Sequence, residues 1–514
     1  MSGRIGVIGG GLGGLAAACT LAARGREVVL FERNNWLGGK AAVHHEAGYR
    51  FDMGPTILTM PSILNRLFAE AGCDLAQRLD LVRLDPQWRC FFTGKNPFDL
   101  IEDVQEMADR CEAFAPGTGR GYREFMNLSR RLNGVAERNF FDRPIGSLSD
   151  LLLQRSASAP TLLADLIRMR PGRSVAATVR RHISDPQLAQ LLDHFTQYIG
   201  SSPEASPAIL CGIAHMQTAE GVWYPRGGIG TIPAALEQLA RELGVQIRLG
   251  EQVERIRLNA QGQAIGISLA NGGDEFFASV VSNMDVVRTH RELLGGKPMR
   301  RFDRRRRYEP ACSGVVLYLG LDRRYEQLSH HNFVFSDDAH KEFSSIYERG
   351  EPAADPTCYV CAPARTDSTV APIDGEALYI LVHTPYLRPG DDWEKRLAGY
   401  RRVILDKLER TAGLEGLSRH IRVERRLTPI DIRDRYQTWK GAIYGLASHG
   451  RFTGAFKPSN RSPDVPGLYL AGGSAHPGPG MPMALMSGWI AADALHRDLQ
   501  ANGTVHREVV ANHA

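Results

Sequence analysis

The stretch IGVIGGGLGGLAAACTLAARGREVVLFER, residues 5–33, constrains the fold more than any other part of this chain. Ile5, Val7 and Ile8 read as a short buried strand. Gly9, Gly11 and Gly14 follow as G-x-G-x-x-G, with further glycines at Gly10 and Gly13. Residues 15–24 are rich in Ala and Leu and read as a helix. Residues 28–31 make a second apolar strand, which Glu32 ends. Strand, glycine turn, helix, strand and acid, in that order, form a dinucleotide-binding unit. Gly9 permits the tight turn, Gly11 leaves a pyrophosphate room against the backbone, and Gly14 lets helix and strand pack closely. The helix N-terminus offers free N–H groups and a positive dipole end to phosphates. Glu32, 23 residues beyond Gly9, is placed for a ribose diol.

The remaining chain is long enough for two or three domains at 514 residues. A net charge of +5 is small for that length and does not imply nucleic acid, for which no aromatic-and-basic motif is present either. The longest apolar runs, such as residues 315–319, fall far short of the roughly 20 residues that span a bilayer. The N-terminal apolar run gives way to the glycine turn at once and does not read as a signal peptide, so the expected location is cytoplasmic. Eight scattered cysteines suggest reduced thiols. Cys358 and Cys361 form one C-x-x-C, expected as two half-buried strand cysteines, with no metal site.

A pass along the chain predicts a discontinuous α/β organisation. Residues 1–75, 216–299 and 426–514 read as one dinucleotide-binding domain. Residues 76–215 read as mostly helical, with amphipathic stretches around 103–114, 121–135 and 185–198. Residues 300–425 alternate strands and helices as a mixed-sheet α+β domain. Neither an internal repeat nor a low-complexity segment interrupts this.

The cofactor class follows from GGKAAVHHEAGYRFDMGPTIL, residues 38–58. Gly39 lets backbone pass near a cofactor, Lys40 is placed over phosphates or flavin, and Gly48, Asp52, Gly54 and Pro55 suggest a strand and a turn of fixed shape. An acid after the second strand, then GG-[RK], then G-x-x-x-D-x-G-P resembles the large FAD-dependent amine oxidase and phytoene desaturase superfamily. Near the C-terminus, LYLAGGSAHPGPGMP gives a strand, a glycine pair and a rigid Pro/Gly loop, and residues 483–495 then read as a helix with Pro482 well placed at its first turn. Such a helix end favours the negative charge of a reduced flavin. With FDMGPTIL, GVWYPRGGIG and SNMDVV, this stretch resembles the bacterial-type phytoene desaturase (carotenoid desaturase) family over nearly the whole chain.

The resemblance implies FAD contacts at Gly9, Gly11, Gly14, Glu32, Gly39, Lys40, Gly54, Pro55, Val253, Gly473 and Met483. Ser474 stands where many related flavoproteins have an acid. The implied fold is a Rossmann-like FAD-binding domain with an α+β substrate domain and a helical membrane-associating region around a long channel. The implied activity is desaturation of a linear carotenoid precursor by hydride transfer to flavin N5, with oxygen or a quinone as acceptor. Carotenoid isomerase, terminal-methyl oxygenase, saturase and hydroxysqualene dehydroxylase activities share this scaffold and stay open. A flavin amine oxidase is disfavoured, because its C-terminal motif carries an acid and an aromatic pair. Asp150, Arg155 and His476 are the candidate acid–base groups. A polyene prefers lipid to water by roughly 20 kcal/mol or more at about 0.8 kcal/mol per CH2, so peripheral docking on a membrane is expected. Residues 151–173 and the basic run 300–308 are the candidate surfaces.

Overall fold

The structure is a computed structural model that describes residues 3–153, 159–296, 301–302, 308–452 and 454–511. The apolar run at the N-terminus forms β1, Ile5–Ile8, fully buried. The Ala/Leu segment forms α1, Leu12–Ala23, buried almost all round and therefore apolar but for Thr20. β2, Val28–Glu32, pairs in parallel with β1, Ile5 lying opposite Val28. On its other side β1 pairs in parallel with Ser279–Ser282, which in turn pairs with Leu468–Leu470. Gln246–Leu249 completes this five-stranded parallel sheet beyond β2. Parallel strands need covered faces. One face is covered by α1, the helix Thr231–Glu242 and the C-terminal helix Met481–Ala511. The other carries a three-stranded antiparallel sheet, Val253–Leu258, Ala264–Leu269 and Asp274–Phe276.

A second, seven-stranded sheet runs in the order Ile421–Leu427, Ser313–Leu321, Glu376–Thr384, Cys358–Cys361, His331–Val334, Trp88–Phe91, Phe98–Leu100. Its two long central strands are buried at every position, which is why they read as continuous apolar runs. The helix Trp393–Ala412 covers one face. Helices between Val104 and Glu220 stand over the other, enclosing an aromatic-rich core. Asp103 and Asp185 cap the helices that start at Val104 and Pro186, through the N–H groups of Glu106 and of Gln187 and Leu188.

Three expectations need correction. The stretch read as mostly helical contains strands at Leu81–Leu84, Trp88–Phe91 and Phe98–Leu100. Trp88–Phe91 is held by parallel pairing with His331–Val334, a partner some 240 residues away that local periodicity does not reveal. Cys358 and Cys361 are fully buried rather than half-buried, and they fall on opposite faces of their strand. The C-terminal helix begins at Met481, two residues earlier than its apolar pattern suggests, because Pro482 fits within the first turn.

Candidate active site

One cavity of about 1010 Å³ runs from the end of the five-stranded sheet to the seven-stranded sheet. That is at the upper end of the roughly 300–1,000 Å³ of single-ligand clefts, the size of a site shared by two ligands. Its first half is the cradle foreseen from residues 5–33. Gly9 has φ +91°, a left-handed conformation open to glycine, and turns the chain from β1 into α1. Glu32 is 7% exposed. Its carboxylate accepts the Gly10 N–H at 2.8 Å and the Asn34 N–H at 2.9 Å, so it fixes the shape of the loop while facing the cavity. Gly9, Gly11, Glu32, Gly39, Lys40, Gly54, Pro55, Val253, Gly473 and Met483 all line the cavity.

Gly14 does not line it, which corrects its assignment as a cofactor contact. A Cβ there would lie 1.9 Å from the carbonyl oxygen of Gly9. Its role is the close packing of helix on loop. The acid of the G-x-x-x-D-x-G-P segment has a comparable structural task. Asp52 accepts the N–H groups of Ile229 (3.0 Å) and Gly230 (3.3 Å), tying residues 227–230 to the cradle. Gly54 leaves room for the carbonyl of Lys40, which a Cβ would approach to 2.2 Å.

Asn283 and Asp285 were quoted within SNMDVV but not foreseen as site residues. Asn283 donates from Nδ2 to the Gly9 carbonyl at 3.2 Å. Its Oδ1 lies where a Cβ on Gly13 or Gly472 would stand, 2.6 and 2.5 Å away. One side chain thus locks the first glycine turn to the last. Asp285 caps its own short helix through the N–H groups of Val287 and Arg288. Burial raises its carboxyl above the ordinary range, an effect that those N–H groups and the charge of Lys40 oppose. Burial pushes the Lys40 ammonium down to about 8, partly offset by Asp285. Lys40 donates to the carbonyl of Ile443.

The second half of the cavity is lined by Val316, Phe333, Tyr359, Tyr379, Leu381, Ile209, Leu210, Ile213 and Met216, among others. The lining residues just named carry no carboxylate; those that line the cavity elsewhere are Glu32, Glu251, Glu254, Asp285 and Glu292. Polar groups are confined to a few positions. His383 Nε2 and the Tyr444 hydroxyl are 3.1 Å apart, and Tyr444 follows Ile443, the acceptor of Lys40. His194 lies against Trp88 and Phe333. Desolvation holds His194 down to about 3 and His383 down to about 4, so both are neutral at pH 7. These residues come from segments up to 250 positions apart and carry no local motif.

Of the two acid–base candidates among the described residues, Asp150 and His476, only His476 lines the cavity. It is fully buried, and its Nε2 meets the Phe140 carbonyl at 2.5 Å. Asp150 accepts the Gly146 N–H at 2.8 Å and is not among the lining residues, so it serves as a local cap. Arg155 lies outside the described residues. No helix among them is long and apolar enough to cross a membrane. The basic run 300–308 also falls largely outside them, as does part of 151–173. Near the latter, Leu148 (48% exposed), Ile167 (66%) and Phe452 (73%) present apolar side chains to solvent. Phe452 lies beside Gly172.

The family model described as flavin containing amine oxidoreductase matches residues 12–496. Over 502 residues the chain is 39% identical to a 4,4'-diapolycopene oxygenase from a Methylomonas species, covering 97% of this chain and 99% of the relative. It is 36% identical over 492 residues to a 4,4'-diaponeurosporene oxygenase of Staphylococcus aureus strain USA300, covering 95% and 97%. Among solved structures, a putrescine oxidase bound to putrescine matches with a TM-score of 0.64 at 14% identity, covering 97% of this chain and 99% of that one. An oxidoreductase from Methanosarcina mazei matches with a TM-score of 0.62 at 18% identity, covering 94% and 98%. At those identities the likeness establishes the fold alone.

Proposed function

The chain belongs to the flavin containing amine oxidoreductase family, and from that premise we propose that it oxidises the terminal methyl group of an acyclic carotenoid to an aldehyde, with dioxygen as co-substrate. It is an FAD-dependent oxidoreductase, and the cradle fits that cofactor: the Gly9 turn, the open face of Gly11 and the Glu32 carboxylate converge on one end of the cavity. Bound there, FAD supplies two-electron redox chemistry. Overall, R–CH3 and O2 give R–CHO and H2O. The methyl carbon gives up four electrons, dioxygen accepts them, and one oxygen atom enters each product.

The observation that carries this reading is the continuity of the cavity from the cradle into a chamber walled mainly by aromatic and aliphatic side chains. A hydrocarbon chain gains there by desolvation at about 25 cal/mol per Å² of apolar surface. An amine substrate would want a carboxylate partner, and the residues named for the chamber offer none. His383 and Tyr444 give one neutral donor–acceptor pair on the wall, suited to an alcohol or aldehyde oxygen at the end of the chain. The names of the relatives favour oxygenation over the desaturation implied by the sequence motifs. Peripheral membrane docking belongs to the same proposal. The exposed Leu148, Ile167 and Phe452 lie within four residues in sequence of Leu151, Met169 and Phe456, members or neighbours of a small core that also holds Phe140, and Phe140 lines the cavity.

The test is incubation of the purified flavoprotein with liposomes carrying diapolycopene or diaponeurosporene under 18O-labelled dioxygen. Products that gain one labelled oxygen and lose two hydrogens support the proposal. Loss of hydrogen with a red-shifted spectrum and no label refutes it in favour of desaturation.

A further inference from the structure

Behind the chamber wall, three side chains with metal-ligating atoms converge. His331 stands directly opposite Cys361 across the antiparallel strands His331–Val334 and Cys358–Cys361. The preceding His330 is tied to the same place by a hydrogen bond from the Ala362 N–H to its carbonyl. One ligand atom from each of His330, His331 and Cys361 lies within 4.8 Å of the other two. All three residues are buried, at 4%, 0% and 2% exposure.

The hydrogen bonds around the imidazoles are informative. His330 Nδ1 lies 2.7 Å from the Thr366 hydroxyl, and His331 Nδ1 lies 2.9 Å from the Tyr359 hydroxyl. Both Nε2 atoms are buried with no hydrogen-bond partner. An imidazole nitrogen left unpaired in the interior is costly, and both histidines of the cluster carry one. With Nδ1–H donating to its hydroxyl partner, each ring presents its Nε2 lone pair, the arrangement found in metal-ligating histidines. Negative groups stand close by, Asp52 and Glu376 near Cys361 and Asp367 near His330.

We propose that His330, His331 and Cys361 bind one thiophilic d10 cation, Zn2+ or Cu+. Imidazole and thiolate together select ions of this kind over Mg2+ or Ca2+. On binding, the Cys361 S–H bond breaks, a sulfur–metal bond forms and the proton leaves to solvent, with no change of oxidation state. Cys358 takes no part, since it faces the opposite side of the strand. The site touches the chamber through Tyr359, whose hydroxyl also meets Thr56 at 2.6 Å, so the ion would rigidify one wall of the substrate space. This inference is independent of the substrate assigned above.

The flavoprotein, equilibrated with Zn2+ or Cu+ and passed over a chelating resin, should retain about one ion per chain by elemental analysis. X-ray absorption of the zinc-loaded protein should show one sulfur neighbour at about 2.3 Å and nitrogen neighbours at about 2.0–2.1 Å. Cys361→Ser and His330→Gln should each lower the retained metal by about tenfold or more, with flavin absorbance intact, while Cys358→Ser leaves it unchanged. Wild-type protein that retains neither ion, a metal shell without sulfur, or equal retention in Cys361→Ser overturns the proposal. Should a variant fail to hold flavin, the absorption spectrum of the wild-type protein decides alone.

Discussion

Two glycines three residues apart should fail in opposite ways. A Cβ on Gly11 would crowd the Asn283 amide nitrogen, at 2.9 Å, the movable end of a side chain, would lie at an ordinary 4.0 Å from the Gly39 Cα, and otherwise faces the cavity. Its backbone, φ −72° and ψ 177°, suits any residue. Displacing Asn283 forfeits its bond to the Gly9 carbonyl, worth about 0.5–1.5 kcal/mol, so the flavin-free Gly11→Val protein should be only slightly less stable than wild type. The valine methyls would occupy the space reserved for pyrophosphate. Flavin present at about 1,000 times its dissociation constant stabilises a protein by about 4 kcal/mol, and the variant should lose that increment. Gly14 is different. Its added Cβ would lie 1.9 Å from the Gly9 carbonyl oxygen, which is backbone and has nowhere to go. Overpacking of this kind costs about 3 kcal/mol or more, so Gly14→Ala should unfold early with or without FAD. Thermal unfolding by circular dichroism, with and without added FAD, separates the cases. A Gly11→Val protein that keeps full yellow absorbance after gel filtration, or a flavin-free Gly14→Ala protein as stable as wild type, would refute the reasoning.

Three further outcomes are expected. His383 is held neutral, with its folded pKa near 4 against about 6.5 unfolded, so the stability it lends is present above pH 6.5 and is lost as pH falls towards 4. His383→Asn should therefore flatten the drop in melting temperature between pH 7 and pH 5, a difference of about 2 kcal/mol, and a slope equal to wild type would contradict it. Lys40 has a folded pKa near 8, below its unfolded value of about 10.5, so in the flavin-free protein it opposes folding at pH 7 and ceases to do so as pH rises through that window. Lys40→Met should narrow the gap in stability between pH 8 and pH 10, measured by urea unfolding. Ile167→Asp combined with Phe452→Asp should reduce partition onto liposomes without altering flavin content; co-flotation unchanged from wild type would move the docking surface elsewhere.

What was legible in the chain follows how locally each feature is encoded. β1, the glycine turn, α1 and β2 are contiguous, so the order of their residues carries the geometry. The same holds for the Pro/Gly loop before the C-terminal helix. The seven-stranded sheet was only half visible. Ser313–Leu321 announces itself as a buried apolar run, but Trp88–Phe91 is a four-residue strand set between turns, held between Phe98–Leu100 and the distant His331–Val334. The chamber was the least legible. His194, His383 and Tyr444 meet only in the folded protein, and each alone is an ordinary residue on an apolar element. Gly14 is equally local: the fingerprint assigns it to close packing, and the clash that a Cβ there would make with the Gly9 carbonyl agrees.

The contact between α1 and the C-terminal helix bears on how the protein is made. A Cβ on Gly488 would come within 2.1 Å of the Gly13 carbonyl, so the two helices meet backbone to backbone beside the cradle. The strand Leu468–Leu470 and the turn at Gly472 are also needed to close it. At about 5–20 residues per second, translation of this chain takes on the order of 30–100 s, and through nearly all of that time the first glycine turn waits for its partners. The nascent chain has no finished flavin site to fill. Cofactor capture is therefore a post-translational event, and the yellow colour works as a seal of completeness: a ribosome that stops short of Gly472 releases a colourless chain whose apolar β1 and α1 stay exposed to chaperones and proteases.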